Sequence, residues 1–221
     1  MKEGWEIDQI KDVCSLQNGF AFKSKDYSSS GARVIRITNV QNGYIADNTP
    51  RYIALSSLTN YKKFQINFDD ILLSLTGDVG RVGRFPNHLL PALLNQRVCR
   101  IKNVDEARIL KDFLFYFLDS HLFEDNAVAT AKGAAQKNIS TKSIGTFQIP
   151  IPPLSEQEEI VKVLDTAFAA IDQAKANIEQ NIANAKELFQ SKLNQIFSQK
   201  GEGWVETMLG RVDKLEAFQN Q

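Results

Sequence analysis

The sequence predicts an α+β fold: a mixed sheet-and-helix domain followed by a long amphipathic helix that pairs antiparallel as a coiled coil. Three observations predict it. Short apolar runs alternate with period two through the first hundred residues, then apolar pairs recur every four residues between Glu106 and Phe123, so strands and a packed helix share one segment. From Ser155 to Gln199 there is neither Gly nor Pro. Between the two regions stand Pro152 and Pro153, which a strand cannot continue through. The expected boundaries are a domain over 1–154, a helix over 155–200, and a tail or the start of a truncated second repeat over 201–221.

With 221 residues, 43% of them hydrophobic, one well-cored domain and a helical arm fit the length. The formal net charge is zero, but it is unevenly spread: Lys and Arg against Asp and Glu count 19 to 15 over residues 1–154, 5 to 7 over 155–200, and 2 to 4 over 201–221. Val79–Val104 holds no acid but carries Arg81, Arg84, Arg97, Arg100 and Lys102; Asn126–Ser155 holds none and carries Lys132, Lys137 and Lys142. Such stretches can meet phosphates, although ordinary solvated surface has the same composition. Met1–Ile10 is too charged for a signal peptide, and no apolar run reaches the length of a membrane span. The expectation is a cytoplasmic protein with no membrane partner. Cys14 and Cys99, each beside apolar neighbours, read as reduced buried thiols. With only His88 and His121 to add, no metal or other cofactor is expected.

In order, Gly19–Ser30 is loop-like, and Arg33–Val40 reads as a strand because Ile35 and Ile37 alternate with Val34, Arg36 and Thr38. Asn42-Gly43 marks a tight turn. Ile66–Leu75 is a second extended segment, after which Gly77, Gly80 and Gly83 recur at three-residue intervals, indicating tight backbone. They are no nucleotide loop, because no Gly is followed by Lys and G-x-G-x-x-G is missing. Gln96–Lys102 alternates as a half-buried strand, and Glu106–Phe123 changes to helical period with its aromatic residues facing core. Thr130–Asn138 is a polar loop of small residues, and Phe147–Ile151 is the last strand.

The helix begins where Ser155 and Glu158 have capping-box spacing. Ile160, Leu164, Phe168, Ile171, Ile178, Ile182, Ala185, Phe189, Leu193 and Ile196 then form one apolar stripe. About 43 helical residues span on the order of 65 Å, which is longer than a compact domain can cover. A repeat signal follows: Gly4-Trp5 with Ile10 and Val13 matches Gly203-Trp204 with Leu209 and Val212, as if the N-terminus began again.

Pro152-Pro153-Leu154-Ser155-Glu156-Gln157, leading into Ile160, resembles the P-P-L-x-E-Q-x-x-I signature of specificity subunits of Type I restriction–modification systems. In the expected order, RVIRITNVQNG (33–43), DDILLSLTGDVGRVG (69–83), Asn95-Gln96 and GAAQKNI (133–139) are similar to recurring segments of that family's target recognition domains. The resemblance covers essentially the whole chain. It implies a non-catalytic subunit that binds double-stranded DNA, reads one half of a bipartite target, and positions methyltransferase and restriction/translocase subunits. Family members usually hold two recognition domains and two antiparallel spacer helices; here there is one of each plus the restart, leaving a truncated form and a natural half-length subunit both open.

The residues agree with a reader rather than an enzyme. Pro152-Pro153 follows Ile151 instead of Asn or Asp, no Pro-Asp pair is present to begin a nuclease motif, and ATP-motor motifs are absent. Reading bases takes Arg toward guanine and Asn or Gln toward adenine, with Lys and Arg on phosphates. The candidates are Lys23, Lys25, Arg36, Asn39, Thr76, Arg81, Arg84, Lys132, Gln136 and Lys137, with the loops near 76–84 and 130–138 facing DNA. A coiled-coil adaptor without sequence-specific binding is the alternative; it accounts for the helix but not for the acid-free, glycine-rich stretches. Because the stripe of Ile160, Leu164, Phe168, Ile171, Ile178, Ile182, Phe189, Leu193 and Ile196 exceeds what a monomer leaves exposed, the chain is expected to be a homodimer, with Ile178 and Ile182 near the twofold.

Overall fold

The computed structural model describes residues 4–133, 136–199 and 201. In chain order the strands are β1 (Glu6–Gln9), β2 (Ser15–Asn18), β3 (Ala32–Ile35), β4 (Gly43–Tyr44), β5 (Tyr52–Ile53), β6 (Gln65–Ile66), β7 (Ile71–Ser74), β8 (Val82–Arg84), β9 (Ala92–Leu94), β10 (Val98–Lys102) and β11 (Gln148–Ile151). The helices are α1 (Ile10–Val13), α2 (Lys111–Leu118), α3 (His121–Thr130), α4 (Thr141–Gly145) and α5 (Leu154–Ser198). Two compact units result, one ending at Asp165 and the other starting at Thr166. The proposed restart at Gly203-Trp204 lies outside the described residues.

The first unit is built on two mixed sheets, ordered β2-β10-β7-β8-β4 and β5-β3-β9-β6, plus an antiparallel ribbon of β1 and β11. Period-two alternation sorts its side chains into layers. On β7, Ile71 and Leu73 pack with the helices while Leu72 packs toward the second sheet. On β3 and β9, Ile35, Ala92 and Leu94 share that inter-sheet core, whereas Val34 and Leu93 turn to the other face, against Leu58 and Tyr61. A strand buried on both faces reads as continuous apolar sequence, which is why ILL at 71–73 shows no polar alternation. Each such buried Leu or Ile contributes roughly 1.5–3 kcal/mol.

Four expectations change in detail. The strand expected over Arg33–Val40 stops at Ile35, because the Asn39 side chain accepts the Arg36 amide (2.9 Å) and winds Ile37–Asn39 into a 3₁₀ turn. Gln96–Lys102 is not half-buried: β10 lies between β2 and β7, and Val98, Cys99, Arg100 and Ile101 are all buried. Glu106–Phe123 is not one helix. After α2, Ser120 takes extended backbone angles and its side chain accepts the Phe123 amide, starting α3; Phe113, Leu114, Leu118 and Phe123 nevertheless fill the core as expected. Finally α5 starts at Leu154, where the Pro153 carbonyl accepts the Glu156 and Gln157 amides, so Ser155 lies inside the first turn rather than capping it.

The tight backbone expected of the glycines is present. Gly80 has φ +90°, with Ala127 where a Cβ would point, and a Cβ on Gly83 would meet the Tyr44 carbonyl oxygen at 2.4 Å. Cys14 and Cys99 are free and buried; burial pushes the Cys14 thiol up to about 12 and raises that of Cys99 as well, so neither is a nucleophile at neutral pH. Among the described residues no cluster of His, Cys, Asp and Glu could hold a metal ion, and no helix is long and apolar enough to cross a membrane.

The ribbon and the root of α5 close the first unit. Gln157 is fully buried: its Oε1 accepts the Leu110 amide (2.8 Å), and its Nε2 donates to the carbonyls of Arg108 (2.9 Å) and Pro152 (2.8 Å). Ile160, placed in the interface stripe from the sequence, packs instead with Val161 against the core of its own unit. The amphipathic spacing predicted a stripe but not where the domain would stop using it. From Thr166 onward α5 leaves its apolar side chains open, with Ile171 47%, Ile178 58%, Ile182 51%, Phe189 65% and Ile196 54% exposed.

Candidate nucleic-acid interface

The glycine-rich loop after β7, which carries Asp78 just ahead of the acid-free Val79–Val104 stretch, meets the acid-free Asn126–Ser155 stretch in the structure. Thr76 pairs with Asn138 as an isolated antiparallel bridge, the Ile139 amide donates to the Leu75 carbonyl (2.9 Å), and the Gly77 amide donates to the Lys137 carbonyl (2.9 Å). The second loop is closed upon itself by Lys132 and Asn138, which exchange backbone hydrogen bonds of 2.9 and 2.8 Å. The first is braced by Ser74, buried at the end of β7, whose hydroxyl accepts the Arg81 amide (3.1 Å) and donates to the Asp78 carbonyl. These backbone and side-chain hydrogen bonds tie the ends of both loops to the protein and to each other.

This junction sorts the candidates by what their side chains do. Lys132, Gln136 and Lys137 are exposed on the closed loop. Arg81 is partly exposed, bonded to Asp78 at 2.8 Å and to Gln41 Oε1 at 3.2 Å. Lys23 and Lys25 are exposed on a separate 3₁₀ turn, and no hydrogen bond of either side chain brings them to the joined loops.

The other four are committed to the scaffold. Asn39 is buried; its Nδ2 donates to the Ala46 and Asn48 carbonyls (3.1 and 3.0 Å) and its Oδ1 accepts the Arg36 amide, leaving nothing for a base edge. Arg36 donates to the Thr49 carbonyl (2.6 Å) and hydroxyl (3.0 Å), so the two together hold the 46–49 loop. Thr76 is buried and donates to Asn138 Oδ1 at 2.7 Å. Arg84 pairs with Asp69 (3.1 Å) and Asp112 (2.5 Å) and lies over the Phe115 ring, 4.4 Å from its centre. For these residue types sequence alone cannot distinguish a reader from a loop anchor, because the deciding partners, at 46–49, 69, 112 and 138, are remote in the chain.

Electrostatics agree with that division. Burial raises the Asp69 carboxyl, but hydrogen bonding to Lys111 and the charges of Arg84 and Lys111 prevail and hold it below the ordinary carboxylate value. That cluster is internally neutralised and offers little to a phosphate. Asp119 goes the other way: burial pushes it up from 3.8 to about 6, helped by Glu124 and opposed by a hydrogen bond from the Gly43 amide.

Three side chains at the junction were missed as site residues. Asn138 Oδ1 accepts from Thr76 and from Arg97 Nη1 (3.1 Å), while its Nδ2 donates to the Gln136 carbonyl (2.9 Å). Gln96 and Arg97 are exposed at the turn leading into β10. Together with Asn18, Thr76, Asn138 and Thr141 they line an open recess of about 200 Å³. The available signal was the break between Asn95-Gln96 and the apolar run that follows; reading Arg97 as one more alternating strand residue hid it.

Comparison with known proteins places this architecture. A family model described as the Type I restriction modification DNA specificity domain matches residues 2–184. The EcoBI specificity subunit of a Type I restriction enzyme from Escherichia coli is 32% identical over 180 residues, covering 80% of this chain and 35% of the relative. The MjaVIII specificity subunit from Methanocaldococcus jannaschii is 31% identical over 185 residues, covering 80% and 43%. The chain thus spans well under half the length of these relatives. In fold it is similar to the S subunit of a Type I system from M. genitalium (TM-score 0.61, 20% identity, covering 87% of this chain and 46% of that one) and to the HsdS subunit from Thermoanaerobacter tengcongensis (TM-score 0.58, 22% identity, covering 88% and 45%).

Proposed function

The chain belongs to the Type I restriction–modification DNA specificity family, and from that premise we propose that it is a DNA sequence-recognition subunit, reading one half of a bipartite double-stranded target. The observation that carries the reading is the junction at which the glycine-rich loop after β7, with Arg81, meets the acid-free 130–138 loop bearing Lys132, Gln136 and Lys137. Cations there neutralise phosphates and set the register on the duplex, and neighbouring amide and guanidinium groups read base edges. The chain itself does no chemistry. Methyltransferase subunits, docking on α5 and its root, transfer the methyl group, and a restriction/translocase subunit cleaves.

Homodimerisation completes the reading. Antiparallel pairing of α5 covers the stripe from Ile171 to Ile196 and brings two identical recognition units to a split palindrome. The experiment is a mobility shift on a duplex library at fixed salt, with and without a methyltransferase subunit, followed by a methylation assay. Selective binding, with methyl transfer only when that subunit is added, is the expected result. Methyl transfer by the purified chain alone, or no sequence preference in the assembled complex, overturns it.

A further inference from the structure

Nine arginines occur in the chain, and eight of them lie among the described residues. Five of the eight face carboxylates: Arg33 with Asp47, Arg81 with Asp78, Arg84 with Asp69 and Asp112, Arg100 with Asp70, and Arg108 with Asp8 and Glu6. Arg36 donates to the Thr49 carbonyl and hydroxyl, and the Arg51 side chain makes no hydrogen bond or ion pair among the described residues. Arg97 differs from all of these. It is exposed, yet its Nη1 is held by two neutral acceptors, Asn138 Oδ1 at 3.1 Å and Thr76 Oγ1 at 3.4 Å. Among the described residues its Nη2 and Nε have no partner and no carboxylate lies within ion-pair distance.

We propose that Arg97 is a specificity-determining residue of this subunit and that it reads a guanine, its open guanidinium edge donating to O6 and N7 in the major groove. The inference rests on the DNA-recognition reading given above. Three features lead to it. Neutral acceptors orient the guanidinium without quenching its charge. Holding one nitrogen in advance removes most of the ordering cost that a free arginine meets on binding. The remaining donors form the planar fork that matches the paired acceptors of guanine. Thr76 and Asn138, which hold Arg97 and also join the two loops, are positioning residues: they set where the fork points relative to Lys137 and Gln136. A cation meant only for a phosphate needs no such bracing, since a mobile lysine serves.

The test is selection from a randomised duplex library by the full chain with the methyltransferase subunit, comparing wild type, Arg97→Lys, Arg97→Ala and Thr76→Val. Wild type is expected to select a motif containing guanine. Arg97→Lys keeps the charge and the salt dependence of binding but relaxes preference at one base position, by roughly 5- to 150-fold. Arg97→Ala, which removes the charge, relaxes preference at the same position, and Thr76→Val relaxes it to a smaller degree while leaving other positions unchanged. Loss of affinity that is uniform over all sequences, with the salt slope of Arg97→Ala reduced by about one, identifies a phosphate contact and overturns the proposal. An unchanged motif in both Arg97 variants overturns it as well. If the wild-type complex selects no motif at all, the recognition reading fails first, and the proposal with it.

Discussion

The two units use apolar residues in opposite ways. Through Asp165 most of the large aliphatic and aromatic side chains are spent inside, Ile35, Leu72, Leu73, Leu93 and Phe123 each about 1% exposed or less, with Leu55, Phe68 and Leu122 among the exceptions. From Thr166 the same residue types stay in contact with solvent, Ile178 at 58% and Phe189 at 65%. The first unit therefore defines its own structure and can give its polar loops to recognition. The second has a backbone that hydrogen-bonds within itself, but its side chains call for something to cover them. A helix of this length gains most of its stability from packing rather than propensity, so the two units should respond differently to the same kinds of substitution.

The largest effect should come from putting Asp at both Ile178 and Ile182. In the proposed dimer four carboxylates would then lie at the twofold, each disfavoured by several kcal/mol unless protonated, so sedimentation should change from dimer to monomer while the unfolding of the first unit stays put. A monomer in the unmutated protein, or a dimer indifferent to both changes, breaks the contrast. Next, Leu73→Ala in the core should cost about 2–5 kcal/mol in urea unfolding and leave the dimer intact in conditions where the unit is folded.

The third prediction sharpens the division inside the first unit. Arg81→Glu with Lys137→Glu should lower the salt slope of DNA binding by about two with little change in stability. Arg84→Ala should do the reverse, costing about 1–2 kcal/mol of stability through its lost pairs with Asp69 and Asp112 and its ring contact, with the slope unchanged. The smallest effect is on pH dependence. Asp119 is raised from 3.8 to about 6 in the folded state, so the native protein holds a proton that the unfolded chain has released. Its contribution makes stability fall as pH rises from about 4 through 6. Asp119→Asn should therefore raise stability by about 1 kcal/mol above pH 6 and by nothing near pH 3.5, after allowance for its partial exposure.

Much of this was legible in sequence. The Gly- and Pro-free run gave α5 to within a residue or two, the change of hydrophobic period marked the helical segment though not its division, and the glycine spacing after β7 and the acid-free stretch around 130–138 marked the two loops that the structure joins. What could not be read was set by contacts between distant positions. Ser120 divides one periodic stretch into α2 and α3 because its side chain caps the second, a choice that period alone does not show. Asn39 and Arg84 have the chemistry of readers, yet the 46–49 loop and the Asp69–Asp112 pair take them up. Arg97 has the opposite history: an ordinary place in an alternating run, made distinctive only when Thr76 and Asn138 fold against it.

The pairing of β1 with β11 has a consequence for how such a protein can diversify. Gln9 and Gln148 face each other in that ribbon, so the chain leaves it and returns to it at neighbouring points, and everything between is a closed excursion. Such a clasp works like the two ends of a cassette. A different intervening segment, with other loops and another length, fits between the same two strands without moving the one that feeds the long helix. Under the proposed function, a new target then follows from substitution of the whole module, while β11 and the helix it feeds keep their place.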